Sequence, residues 1–272
     1  SPIAGRWYPD DPQELTESVD FYINQARLPQ IHGEVIAIIA PHAGHRYSGP
    51  VAGYAFAAVR SLKPEVVAVV SPMHYPYAEA VLTSAHTAYS TPLGEIALDQ
   101  KALHDLDTSF TLANAEPIER VGRDPEHSLE IELPFLQRAL SEKFTLLPLM
   151  VRELNPQPLE ILGKHLAHAL HNRPALLVAS TDLSHFYPQA AAEKLDREML
   201  RRIETFDPQA VLRAEDEGAG FACGRGAVAV VLWAARELGA NHVQILHYAT
   251  SGDVTGDFHQ VVGYGAVLIT RQ

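Results

Sequence analysis

Apolar residues fall in blocks along this chain, and the spacing inside the blocks predicts the elements. Val35-Ile36-Ala37-Ile38-Ile39-Ala40 is a continuous apolar run of strand length, as are Val66-Val67-Ala68-Val69-Val70 and Ala175-Leu176-Leu177-Val178-Ala179. Runs without polar alternation suit strands buried on both faces, as in a parallel sheet covered by helices. Residues 144–151 predict a fourth strand, interrupted by Pro148, and 242–248 and 261–270 predict two more. Elsewhere the apolar period lengthens to that of a helix. Asp11-Pro12 has the form of a capping residue followed by an N1 proline, and Leu15, Val19, Tyr22 and Ile23 then recur at helical spacing. Further helices are predicted over 50–62, 127–140, 158–170, 190–206 and 226–238. In the second of these, Leu129, Leu133, Leu136 and Leu140 form one stripe that Pro134 should bend. Strands alternating with amphipathic helices predict an α/β fold, a mostly parallel central sheet flanked by helices. A length of 272 residues fits one domain spanning 1–272.

Composition narrows the function classes. The formal charge of -12, with no basic run to offset it, argues against nucleic acid as a partner. No stretch approaches the roughly 18–20 apolar residues of a membrane helix, so no membrane span is expected. No signal peptide is visible, and one cysteine, Cys223, fits a reducing compartment; a cytoplasmic protein is expected. The fourteen histidines are the outlier, because imidazole is the commonest metal ligand and titrates near neutrality.

Their placement carries the chemistry. The run ending at Ala40 leads into Pro41-His42-Ala43-Gly44-His45, the run ending at Val70 into Ser71-Pro72-Met73-His74, and the run ending at Ala179 into Ser180-Thr181-Asp182-Leu183-Ser184-His185. In open α/β sheets ligands bind beyond the carboxyl ends of the strands. Parallel strands would therefore gather His42, His74, Asp182 and His185 on one rim, as a metal site or an acid–base site. Strand-end capping is the plainer alternative. Cys223 sits in Phe221-Ala222-Cys223-Gly224-Arg225-Gly226, ahead of a predicted helix. Both the helix dipole and Arg225 are expected to stabilise its thiolate there. His127 and Glu130 stand at i and i+3 of a predicted helix and either enter the same pocket or form an exposed polar face. His165, His168 and His171 read as surface, and His45 is open between roles. No P-loop, Gly-x-Gly-x-x-Gly or Gly-x-Ser-x-Gly motif is present.

Several segments in order resemble the Memo family: Arg6-Trp7-Tyr8-Pro9, Pro41-His42-Ala43-Gly44, Ser48-Gly49-Pro50, the His74 loop, Glu126-His127-Ser128-Leu129-Glu130, Leu133-Pro134-Phe135, Ser180-Thr181-Asp182-Leu183-Ser184-His185, Cys223-Gly224 and Tyr248-Ala249-Thr250-Ser251-Gly252-Asp253. The resemblance runs nearly end to end. It implies a fold like that of class III extradiol dioxygenases, with the carboxylate of their two-His, one-carboxylate Fe(II) site replaced by cysteine. Carried over, the ligands would be His42, His74 and Cys223, with Asp182 and His185 lining the pocket and His127 nearby as proton-handling groups. His45, Glu130 and Arg225 would lie around them. Fe(II) is the implied metal, with copper or zinc made more competitive by the thiolate. Prokaryotic members are labelled AmmeMemoRadiSam system protein B, which implies a link to radical SAM and AMMECR-type proteins. The chain departs from the family pattern at His45, where an aromatic is common, and at Met73, where Asn or Ser is. Two functions follow as expectations: a metal-dependent oxidoreductase of unknown substrate, or a binding or scaffold protein that recognises a peptide or small ligand in the same pocket. A zinc or cysteine-nucleophile hydrolase is a weaker third.

Overall fold

A computed structural model describes residues 1–113, 117–152 and 154–272. Three apolar runs become β1 (Glu34–Ala40), β2 (Val66–Pro72) and β8 (Ala175–Ser180), and the fourth becomes β7 (Thr145–Val151). These four lie side by side and parallel in the order β1-β8-β2-β7. Nearly every residue in them is buried, as strands covered on both faces must be. Antiparallel partners extend both flanks. β11 (Val261–Arg271) pairs with β1, β10 (His242–Thr250) pairs with β11, and β3 (Val81–Ser84) pairs with β7. Two short strands complete the sheet: β6 (Glu119–Val121) runs beside β3 and β9 (His185–Tyr187) beside β11, while β4 (Ala88–Thr91) and β5 (Gly94–Ala97) form a separate hairpin. Apart from β10 and β11, these antiparallel and short strands carry no long apolar run, which is why the sequence pattern passes over them.

Pro148 lies inside β7 without breaking it. Its carbonyl accepts the Thr83 hydroxyl at 2.6 Å on the side away from β2, and the N–H of a strand residue points the same way as its carbonyl. The missing donor therefore faces outward, where the ladder with β3 covers only Met150 and Val151.

Nine helices among the described residues clothe the sheet. α1 (Pro12–Gln25) begins as expected, with the Asp11 carboxylate accepting the N–H groups of Gln13 and Glu14. α2 (His45–Ala57) starts five residues earlier than the pattern suggested and holds Pro50 within it, so His45 belongs to a helix and not to the strand-end loop. Between β5 and β7 lie α3 (Gln100–Leu112) and α4 (Leu133–Ala139). The helix expected over 127–140 is only α4 preceded by a single 3-10 turn, Glu130–Glu132. Pro134 stands in its first turn and opens it instead of bending it. α5 (Pro156–Leu170), α6 (Gln189–Glu204), α7 (Pro208–Asp216), α8 (Arg225–Glu237) and the short α9 (Gly252–Thr255) follow. α8 packs on the central strands with α5 against it, and α2 packs on β1, β10 and β11 with α1 outside. One continuous apolar core joins these layers. Among the described residues no helix is long and apolar enough to cross a membrane.

Candidate metal centre

The parallel register brings the polar strand ends together. Ala40 stands opposite Ser180 and Val70 opposite Ala179, so β8 separates β1 from β2 and all three stop at one level. His42, His74 and Asp182 each lie two residues past a strand end. Among the described residues, one group of three possible ligands has its donor atoms within 4.8 Å of one another: His42, His74 and His127.

Each ring has a defined support. His42 is buried, and its Nδ1 lies 2.9 Å from the Ser180 hydroxyl. The carboxylate of Asp182 accepts the N–H groups of His42 at 2.8 Å and Ala43 at 3.2 Å, which fixes the turn after β1. His74 donates its backbone N–H to Glu126 Oε2 at 2.6 Å, and its Nδ1 lies 3.0 Å from Glu126 Oε1. Glu126 Oε1 also accepts the N–H groups of His127 and Ser128, each at 2.9 Å. One buried carboxylate thus orients two of the three imidazoles. His127 is stacked between Trp7, with centroids 3.8 Å apart, and His74, at 5.2 Å, and it meets His42 edge-on. With Nδ1 of His42 and His74 committed outward, each ring turns Nε2 toward the shared space, the arrangement typical of metal-binding imidazoles.

Cys223 joins from the other side. Its Sγ lies 3.2 Å from His42 Nε2 and 3.6 Å from the Asp182 carbonyl, outside the group of three but against one of its members. Gly224 makes that approach possible: a Cβ there would lie 2.3 Å from the Ser180 carbonyl. The N–H of Gly224 donates to the Thr181 hydroxyl at 2.9 Å, tying the cysteine turn to the end of β8.

Electrostatics separate the groups. Burial, with His74 and His127 adding repulsion, holds the His42 pKa well below its ordinary value. Burial lowers His127 to about 4. It also disfavours the His74 cation, but the hydrogen bond and charge of Glu126 outweigh it and leave His74 above its ordinary value. Glu126 resists burial in the same way and is held far below the usual carboxylate range by His74. Asp182 is pushed by burial up to about 7. The thiol of Cys223 is pushed up by burial and by the Asp182 charge, which disfavours the expected thiolate in the metal-free protein. Arg225 cannot rescue it, because that guanidinium pairs with Glu215 and with Asp216.

Two other expected residues, His45 and Glu130, turn away from the cluster, while His185 stands at its margin, near enough to repel charge on His42. His45 is buried against Phe135 and Tyr8, with Nε2 donating to the Ile131 carbonyl at 3.0 Å, so it serves the core. Glu130 does not share a helix face with His127; it turns to the Tyr8 hydroxyl at 2.5 Å. His185 donates Nδ1–H to the Leu183 carbonyl at 2.8 Å and packs near Phe221, leaving Nε2 free. Glu126, Ser180 with Glu132, and Trp7 were missed as site residues, although Glu126, Ser180 and Trp7 stand inside motifs that were read. A cleft of about 720 Å³ lies away from the site, at the amino-terminal ends of β1 and β8, lined by Glu34, Arg173 and Arg271, all already in ion pairs. Converging chemistry, not cavity size, marks the site.

Comparison with known proteins identifies relatives of this chain. MEMO1 family proteins of Nitrosopumilus maritimus and Aeropyrum pernix are 34% and 36% identical to it, over 97% and 98% of this chain and 97% of each relative. A Methanopyrus kandleri member is 32% identical over 99% of this chain and 98% of its own. The solved structure of an uncharacterized protein, JW3007 from Escherichia coli K12, shares the fold at a TM-score of 0.52 and 14% identity, over 86% of this chain and 99% of that one. The family described as Memo-like protein matches residues 1–268, and the chain belongs to that family.

Proposed function

We propose that this chain is a single Memo-like domain that holds one transition-metal ion on His42 and His74, with Cys223 and His127 competing for the third position, and uses it in oxidoreductase chemistry. The observation that carries this reading is the convergence of three imidazole donors within 4.8 Å, two of them with Nδ1 committed to oxygen partners. The donor set fits such an ion. Imidazole with an available thiol suits iron, copper or zinc over magnesium or calcium, and iron is the metal we favour. When bound, the ion would supply Lewis-acid or redox capacity at the rim. The protein's part is to present Nε2 of His42 and His74, to hold Cys223 as a thiol that gives up its proton on coordination, and to keep His185 Nε2 free to accept a proton.

Anaerobic titration with Fe²⁺ and, separately, Zn²⁺ tests this. One equivalent per chain is expected, abolished in His42→Ala and weakened in Cys223→Ser. Absence of stoichiometric binding by either ion would overturn it. A second reading, a binding or scaffold protein, is favoured by the exposed aromatics that directly follow two rim histidines: Tyr75 after His74 and Phe186 after His185. That reading expects a peptide or small ligand to be captured at this margin with no turnover.

A further inference from the structure

Ser180 stands between His42 and a carboxyl group that has no counter-charge. Its Oγ has three neighbours: His42 Nδ1 at 2.9 Å, the Ser128 carbonyl at 2.7 Å and Glu132 Oε1 at 2.6 Å. A hydroxyl brings one proton and two lone pairs. The Ser128 carbonyl can only accept, so it takes the hydroxyl proton; at that distance any other assignment sets two lone pairs against each other. Both lone pairs of Oγ are then left to His42 and Glu132, and both of those groups must donate. His42 does so through Nδ1–H. Glu132 can do so only as an acid. Its other oxygen is buried without a partner, an arrangement far costlier for an ionised carboxylate than for a neutral carboxyl. Burial drives its pKa well above the usual carboxylate range, although the Ser180 contact works the other way.

We propose that Glu132 is a neutral carboxylic acid and that, together with the Ser128 carbonyl, it holds the Ser180 hydroxyl as a fixed proton acceptor for His42. His42 is thereby confined to the Nδ1–H tautomer, with the Nε2 lone pair directed at the cluster, where the thiol of Cys223 meets it. Ser180 and Glu132 are positioning residues in this scheme, since neither touches the metal position. The consequence for metal affinity rests on the proposed metal site; the proton arrangement does not.

Two measurements on the metal-free protein read the proton arrangement, and the first needs no variant to fold. Nitrogen-15 NMR of labelled histidine should find His42 protonated on Nδ1 and bare on Nε2. Infrared spectroscopy should show a protonated-carboxyl band, assigned to Glu132 by its loss in Glu132→Gln and shifted in Ser180→Ala. Zinc titration then reads the consequence. Ser180→Ala should bind roughly 10–100-fold more weakly, whereas Glu132→Gln, whose amide N–H can replace the acid O–H, should stay within a few-fold of wild type. An ionised Glu132, a His42 protonated on Nε2, or a Ser180→Ala variant with wild-type zinc affinity would overturn the proposal. A wild-type protein that shows both proton signatures yet binds neither Zn²⁺ nor Fe²⁺ would uphold it and remove the metal-site reading instead.

Discussion

Replacing Glu126 with glutamine keeps the shape of the side chain and removes its charge. Glu126 Oε1 accepts two backbone N–H groups, from His127 and Ser128, and Oε2 accepts the N–H of His74 at 2.6 Å. An amide offers one accepting oxygen. Placed where Oε1 stands, it retains the first two donors, and its NH₂ then opposes the His74 N–H. The flipped amide is worse, with two donors opposed. At least one hydrogen bond to a charged acceptor is lost, worth about 1.5–3 kcal/mol, and a donor–donor contact replaces it. We expect Glu126→Gln to lower the stability of the metal-free protein by about 3 kcal/mol in urea unfolding at pH 7. Zinc affinity should fall roughly 10–100-fold, because His74 Nδ1, 3.0 Å from Oε1, then meets a neutral amide oxygen in place of a carboxylate. The pH dependence has a definite sign. The folded-state pKa of Glu126 lies below the ordinary 4.5, so its contribution is present above about pH 4.5 and lost as pH falls through the folded value. Wild type and variant should therefore converge in acid. Curves that differ by less than about 0.5 kcal/mol at pH 7, with zinc affinity unchanged, would refute the orienting role.

Three further outcomes follow from the same geometry. Asp182→Asn keeps the oxygen that accepts from His42 and Ala43 but cannot ionise. Because burial raises the Asp182 pKa from 3.8 to about 7, wild-type stability is full below the lower value and declines as pH rises through the upper. The variant should gain on wild type by on the order of 4 kcal/mol between pH 4 and pH 8 in metal-free unfolding, and a pH-independent difference would count against burial as the cause. Trp7 stacks on His127 whereas Trp233 lies in α8, so Cu²⁺ should quench wild-type tryptophan emission and leave Trp7→Phe nearly unaffected. Equal quenching of both would move the ion away from His127. Phe186 adopts φ 63 with 67% of its surface exposed, and Phe186→Gly should raise the unfolding free energy by about 1 kcal/mol. A loss of stability there would mean that the ring packs more than its exposure suggests.

The central architecture was legible because burial on both faces leaves an unmistakable mark: Val66–Val70 or Ala175–Ala179 can scarcely be anything but interior strands. Strand-end logic then placed His42, His74 and Asp182 on one rim without knowledge of strand order. What the pattern could not convey was direction. His45 and Glu130 look as eligible as their neighbours in the sequence, yet one begins α2 facing Phe135 and the other opens the 3-10 turn facing Tyr8. Arg225 is adjacent to the cysteine turn in sequence but is drawn off by Glu215 on α7. Glu126 escaped notice because a carboxylate that accepts backbone N–H groups has no spacing rule, and it becomes visible only when the loop is folded. The helix over 127–140 failed for a related reason: the leucine stripe was real, but the Glu126 contacts hold residues 127 and 128 in a turn.

Chain order and spatial order disagree at the rim, and that disagreement governs when the site can exist. His42 and His74 are translated early, but the strand that sits between β1 and β2 is β8, whose last residue, Ser180, arrives roughly a hundred residues later. At ordinary elongation rates that is on the order of ten seconds on the ribosome. Until then the two imidazoles have no common wall, so a metal site of the kind proposed would be completed only in the nearly finished protein.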